Sequence, residues 1–184
     1  MRSLCVFCGS SPGNDPRYPA MARGVGTLLA RRGLTLVYGG GRVGLMGALA
    51  DATLAAGGRV VGVIPRLLVD KEVGHAGLSE LHVVRTMSER KLLMGELADG
   101  FLALPGGIGT MDELFEAWTW TQLDLHDKPC GLLNDRGYYD PLLAFLDRAV
   151  AEGFLRPRHR AALFVEPHPE PLLDRLVAAA SSAA

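Results

Sequence analysis

Apolar positions cluster into seven short runs, and the stretches between most of them carry helical spacing. The runs are "LCVFCG" (4–9), "LTLVYGG" (34–40), "RVVGVIP" (59–65), "LHVVRT" (81–86), "GFLALPG" (100–106), "PCGLLN" (129–134) and a short "ALFVEP". After the first run, Asp15 and Pro16 mark a helix start, with Asp15 as N-cap. Tyr18, Met21, Ala22, Val25, Leu28 and Leu29 then follow the i, i+3, i+4 rule. Further helices are expected over 43–58, from about Ser88 to Asp99, from the Gly-rich stretch at 106–109 to about Leu125, over "DPLLAFLDRAVAEG", and over 169–180. Continuously apolar strands, each followed by a helix, predict a parallel sheet covered on both faces. With right-handed crossovers this is an α/β, doubly wound, Rossmann-like fold. One domain over 1–184 is expected, with a frayed tail at 180–184.

Composition narrows the function classes. Of 184 residues, 48% are hydrophobic, so a core is available, and the formal net charge of -1 gives no electrostatic case for nucleic acid or an anionic membrane. The start "MRSLCVFCGS" reads as a strand rather than a signal peptide, and no apolar stretch approaches the roughly 18 residues of a membrane span. A cytoplasmic protein is expected. Cys5 and Cys8 form a C-x-x-C, but residues three apart on a strand face opposite ways. Buried cysteines are therefore expected, not a redox pair or a zinc site. The five histidines lack metal-ligand spacing, so no metal is expected.

Three strand ends carry glycines: Gly9-Ser10-Ser11, Gly39-Gly40-Gly41 and Pro105-Gly106-Gly107. In a parallel sheet they share the carboxyl edge, where ligands bind. Gly39, Gly41 and Gly44 spell G-x-G-x-x-G, yet the motif follows the second strand and lacks an acid some 20 residues on. Tight strand-to-helix turns, or some phosphate contact, are the readings left open there. "LPGGIGTMDE" (104–113) is no Walker loop, because it lacks G-K-[ST]. Its glycines and helix start suit a monophosphate held by backbone N–H groups.

The two acids in that stretch have two readings. Thr110-x-x-Glu113 matches a capping box, and Asp112 suits the helix dipole. A carboxylate also weakens an anion site unless it has another task, such as stabilising an oxocarbenium-like transition state at a sugar. Arg90 and Lys91 lie in the first turn of their helix, the unfavourable end for cations, which implies a local partner. In "EAWTWTQL", apolar residues occupy more than one helical face, including Trp118 and Trp120. That predicts either a dimer interface or an unusually deep helix.

"CVFCGSSPG", "LVYGGGRVGLMG", "MSERK" and "LPGGIGTMDELFEAWTWTQL", in this order over about residues 3 to 155, resemble the Lonely Guy family. The resemblance implies a modified Rossmann fold, a homodimer, no cofactor, and hydrolysis of N6-modified adenosine 5'-monophosphates to free base and ribose 5-phosphate. It implies a catalytic pair, Arg90 and Glu113. It places substrate contacts at Lys91, Gly106, Gly107, Gly109, Thr110 and Asp112, with Gly9, Ser10 and Gly40 at the neighbouring strand ends. Glu72 and Thr119 match further contact positions. Ser88 and Asp112 depart from the histidine and glutamate of many members, which bears on substrate preference. A general AMP nucleosidase and a non-enzymatic nucleotide or cofactor carrier of the same fold are the alternatives. Relatives have also carried the label lysine decarboxylase. Only Lys71, Lys91 and Lys128 could form a Schiff base, and none sits in a recognisable cofactor motif.

Overall fold

The computed structural model describes residues 1–69 and 74–182. Seven strands, β1 (Ser3–Phe7), β2 (Thr35–Tyr38), β3 (Val60–Pro65), β4 (Glu80–Val84), β5 (Phe101–Ala103), β6 (Cys130–Leu133) and β7 (Leu163–Glu166), form one sheet. Its order is β4-β3-β2-β1-β5-β6-β7, and every pairing is parallel. The chain winds outward from β1 to β4, returns to place β5 beside β1, and winds outward the other way. β1 and β5 therefore flank the topological switch point, where a crevice opens in such sheets. Cys5 registers with Phe101 and Phe7 with Ala103, so the loops after β1 and β5 emerge side by side. The Gly9 N–H donates to the Pro105 carbonyl at 3.2 Å.

Alternation along each strand divides the core in two. Leu4, Val6, Leu36, Tyr38, Val60 and Leu102 pack with α1 (Arg17–Arg31), α2 (Gly44–Ala55) and α8 (Pro169–Ser182). Cys5, Phe7, Val37, Val61, Val63 and Phe101 pack with α4 (Met87–Leu97), α5 (Ile108–Gln122) and α6 (Asp140–Ala151). Cys5 and Cys8 fall in opposite layers, as a strand requires. All three cysteines are free and buried. Burial raises the Cys5 and Cys8 thiols and pushes Cys130 up to about 12.

Several expected boundaries move. The first helix begins at Arg17, with the Asp15 side chain accepting the Arg17 N–H at 2.9 Å. Two short helices, α3 (Arg66–Val69) and α7 (Pro157–Ala161), were not expected. β4 is an edge strand with Leu81 and Val83 exposed, so it is not covered on both faces. The terminal helix extends through Ser182 rather than ending at 180, and the Ser181 hydroxyl donates to the Val177 carbonyl. No helix among the described residues is long and apolar enough to cross a membrane.

Candidate functional site

A cleft of about 520 Å³ opens over the ends of β1, β2 and β3 and against the start of α5. Its polar lining comes from Arg90, Glu113, Ser10 and the backbone from Gly107 to Thr110. Both charged side chains are nearly enclosed, with Arg90 6% and Glu113 8% exposed.

Arg90 enters from α4. Thr86 caps that helix, accepting the Glu89 N–H at 3.1 Å, while the Glu89 carboxylate accepts from the Arg85 N–H. This sets the fourth helical residue, Arg90, under the sheet edge. Its Nε donates to the Val63 carbonyl at 3.1 Å and its Nη1 to Glu113 Oε1 at 2.6 Å. Gly39 makes this path available, because a Cβ there would overlap Arg90 Nη2. Burial raises the Glu113 pKa, and the Arg90 charge offsets part of that rise. The Glu113 carboxyl therefore holds its proton to a higher pH than an ordinary glutamate.

The capping-box expectation at Thr110 fails. The N-cap of α5 is Gly107, with no side-chain cap, and Thr110 is a buried residue of the helix proper. Its hydroxyl fills the space where a Gly106 Cβ would lie. Glu113 turns to Arg90, not to the helix start.

Consecutive helical residues diverge by about 100°, so the two acids serve different cations. Lys91 Nζ lies 3.0 Å from Asp112 Oδ2 and 3.0 Å from Glu116 Oε2. Those carboxylates help to raise the Lys91 pKa against desolvation. The unfavourably placed cations of α4 are therefore each matched by acids of α5. Lys91 and Asp112 lie beside the cleft, not among its lining residues.

The first backbone bond within α5 runs from the Met111 N–H to the Gly107 carbonyl. Helix geometry leaves the preceding N–H groups free to bind an anion. A Cβ at Gly107 or Gly109 would meet open space, so packing does not demand these glycines. Their bareness exposes backbone to the cleft. Gly9 and Gly106 instead support the junction of the two loops.

Within the G-x-G-x-x-G turn, Gly39 and Gly41 line the cleft, whereas Gly44 serves close packing. Gly44 has φ +64°, and a Cβ there would strike the Ser10 backbone; the Leu45 N–H donates to the Gly9 carbonyl. Gly40, at φ +72°, turns its carbonyl to the His75 N–H and does not line the cleft. Glu72 lies outside the described residues, as does Lys71. Thr119 is exposed on α5 and lines a separate groove with Ile108, Phe115, Trp120, Leu123 and Leu125. Trp118 is core, donating its Nε1–H to the His159 carbonyl at 3.1 Å, while Trp120 is half-buried.

Spacing gave no warning of the cleft's apolar wall, Val43 and Met46 at the start of α2 with Ile64 of β3 and Leu68 of α3. It also missed Tyr138 and Tyr139. Their hydroxyls donate to the carbonyls of Gly106 (2.9 Å) and Leu104 (2.7 Å). The only prior signal was their place just past a strand end on the same sheet edge. Lys128 Nζ donates to the Gly95 carbonyl, and Lys91 is held as an ammonium, so neither is poised as a Schiff-base nucleophile.

Comparison with known proteins places this geometry in context. Residues 46–176 match a family model described as "Possible lysine decarboxylase". The chain is 54% identical over 165 residues to a cytokinin riboside 5'-monophosphate phosphoribohydrolase of Rhodococcoides fascians, covering 89% of this chain and 83% of that one. It is 46% identical over 175 residues to one of Arabidopsis thaliana, covering 95% and 82%. The molybdenum cofactor carrier protein of Chlamydomonas reinhardtii shares the fold, with TM-score 0.73, 18% identity, and coverage of 97% of this chain and 99% of that one. The family-model match and the two relatives establish that the chain belongs to the Lonely Guy family, the family that also carries the lysine decarboxylase description.

Proposed function

We propose that the protein hydrolyses the N-glycosidic bond of N6-modified adenosine 5'-monophosphates, releasing free base and ribose 5-phosphate. The carrying observation is the buried Arg90–Glu113 pair placed beside a bare helix start. The N–H groups of residues 107–110 and the Ser10 hydroxyl hold the 5'-phosphate. Glu113 faces the ribose, stabilises positive charge developing at the anomeric carbon and activates water. Arg90, fixed by Val63 and Glu113, orients the carboxylate and the sugar. The apolar wall of Val43, Met46, Ile64 and Leu68 favours a substituted adenine over plain AMP. Relatives named for the same reaction support this reading.

The protein acts as a homodimer in this reading. The groove along α5 leaves Ile108 91%, Leu123 59% and Leu125 68% exposed, a surface suited to a second copy. Thr119 lies on that surface rather than in its own cleft, so in the dimer it would serve the partner's substrate. A cytoplasmic location fits the three free thiols.

The test is product analysis with isopentenyl-AMP, its nucleoside and AMP, in the absence of added metal or pyridoxal phosphate. Base released from isopentenyl-AMP faster than from AMP, and not from the nucleoside, is expected. No base from any monophosphate would overturn the proposal.

A further inference from the structure

We propose that Tyr138 is a positioning residue for the phosphate cradle, its hydroxyl locking the Gly106–Gly107 peptide so that the Gly107 N–H faces the nucleotide's phosphate. The proposal rests on the phosphate-binding reading above. The Gly106 carbonyl accepts from Tyr138 Oη at 2.9 Å. All described peptide bonds are trans, and in a trans peptide the C=O and N–H point in opposite directions. Holding the carbonyl on Tyr138 therefore turns the Gly107 N–H away from Tyr138. Tyr138 and Gly107 line a second cavity of about 540 Å³ on the far side of the loop, whereas Gly107 also lines the cleft of Arg90 and Glu113. The loop is a partition between these two spaces, with the tyrosine on one side.

An external latch is needed at this position. Neither residue flanking that peptide has a Cβ to bias its orientation, and a Gly107 Cβ would meet open space. Gly106 is packed against Thr110 and Gly9, so it is on the Gly107 side that packing leaves the peptide unrestrained. Tyr138 is itself braced. Its ring meets the edge of Tyr18 at 5.8 Å and Tyr139 at 4.8 Å, and Arg17 stacks on Tyr18 at 4.7 Å. The hydroxyl thus reaches the loop from a fixed platform. At 39% exposure the ring contributes less to the core than to this contact.

Tyr138→Phe removes one oxygen and keeps the ring contacts. The experiment measures inhibition of base release by ribose 5-phosphate and by the free base, in wild type and variant, together with Tm. Inhibition by ribose 5-phosphate is expected to weaken about tenfold, the scale of one hydrogen bond to a charged group. Inhibition by the free base and Tm are expected to hold. Unchanged inhibition by ribose 5-phosphate overturns the proposal, and so does an equal weakening for both products, which would mark a general packing role. A wild type that neither releases base nor responds to ribose 5-phosphate would overturn the phosphate reading itself, and the proposal with it.

Discussion

Arg90 Nη1 and Glu113 Oε1 stand 2.6 Å apart, joining the first turn of α4 to the second turn of α5 beneath the edge of the sheet. Neither residue caps its helix, and each neutralises a charge that would otherwise be buried alone. Lys91 and Asp112, the next residue on one helix and the preceding residue on the other, form a parallel exposed pair. Two acids can therefore sit beside the bare start of α5, because each is matched by its own cation.

The pair predicts a steric sensitivity at Gly39. An added Cβ would overlap Arg90 Nη2, and Gly39 is not among the positive-φ glycines. Gly39→Ala should therefore fold while displacing the guanidinium. Turnover should fall about 10²-fold, the cost of misplacing a catalytic group by an ångström. Steady-state kinetics with a melting curve checks this, and wild-type turnover in a folded variant would contradict it.

Glu113 also predicts a pH signature. Burial raises its pKa above the ordinary 4.5, so the folded state binds that proton more tightly than the unfolded state. The associated stability is fully present below the ordinary value and is lost as pH rises through the elevated one. Glu113→Gln removes this dependence. The Tm of the variant relative to wild type should thus increase as pH rises across that window. A constant difference would show that Glu113 titrates as it would in the unfolded chain.

The α5 groove predicts the assembly. Leu123→Glu places a charge on an exposed apolar surface, where a monomer would lose little. In a dimer it would be buried without a partner, at a cost of several kcal/mol. Light scattering should report dimer for wild type and monomer for the variant. A monomeric wild type would remove the reason for assigning Thr119 to a partner's substrate.

Tyr139 should behave unlike Tyr138. It is buried, and its hydroxyl satisfies the Leu104 carbonyl at 2.7 Å. Tyr139→Phe orphans that carbonyl and should cost about 1–3 kcal/mol. Chemical denaturation measures the loss.

Most of the fold was legible because each strand is short, apolar and bounded by turn residues. The glycine-bearing strand ends also announced the edge at which the cleft opens. What was not legible depended on neighbours distant in sequence. Thr86-x-x-Glu89 and Thr110-x-x-Glu113 share a pattern, yet only the first threonine caps. The second is pulled into the helix, its hydroxyl packed over Gly106, and its glutamate is claimed by an arginine 23 residues earlier. Trp118 and Trp120 looked alike as interface candidates, and only the tertiary carbonyl of His159 separates the core one from the other. Gly39 looked like part of a nucleotide fingerprint, whereas its role is to let Arg90 pass.

The most direct test of the central claim is the turnover of Glu113→Gln on isopentenyl-AMP, alongside its affinity for the nucleotide. Glutamine keeps the size of the side chain and a hydrogen-bonding oxygen for Arg90, and removes the base. Turnover lower by about 10²–10⁴ with nucleotide binding retained is the predicted result. Near-wild-type turnover would contradict it and leave Glu113 as no more than the structural partner of Arg90.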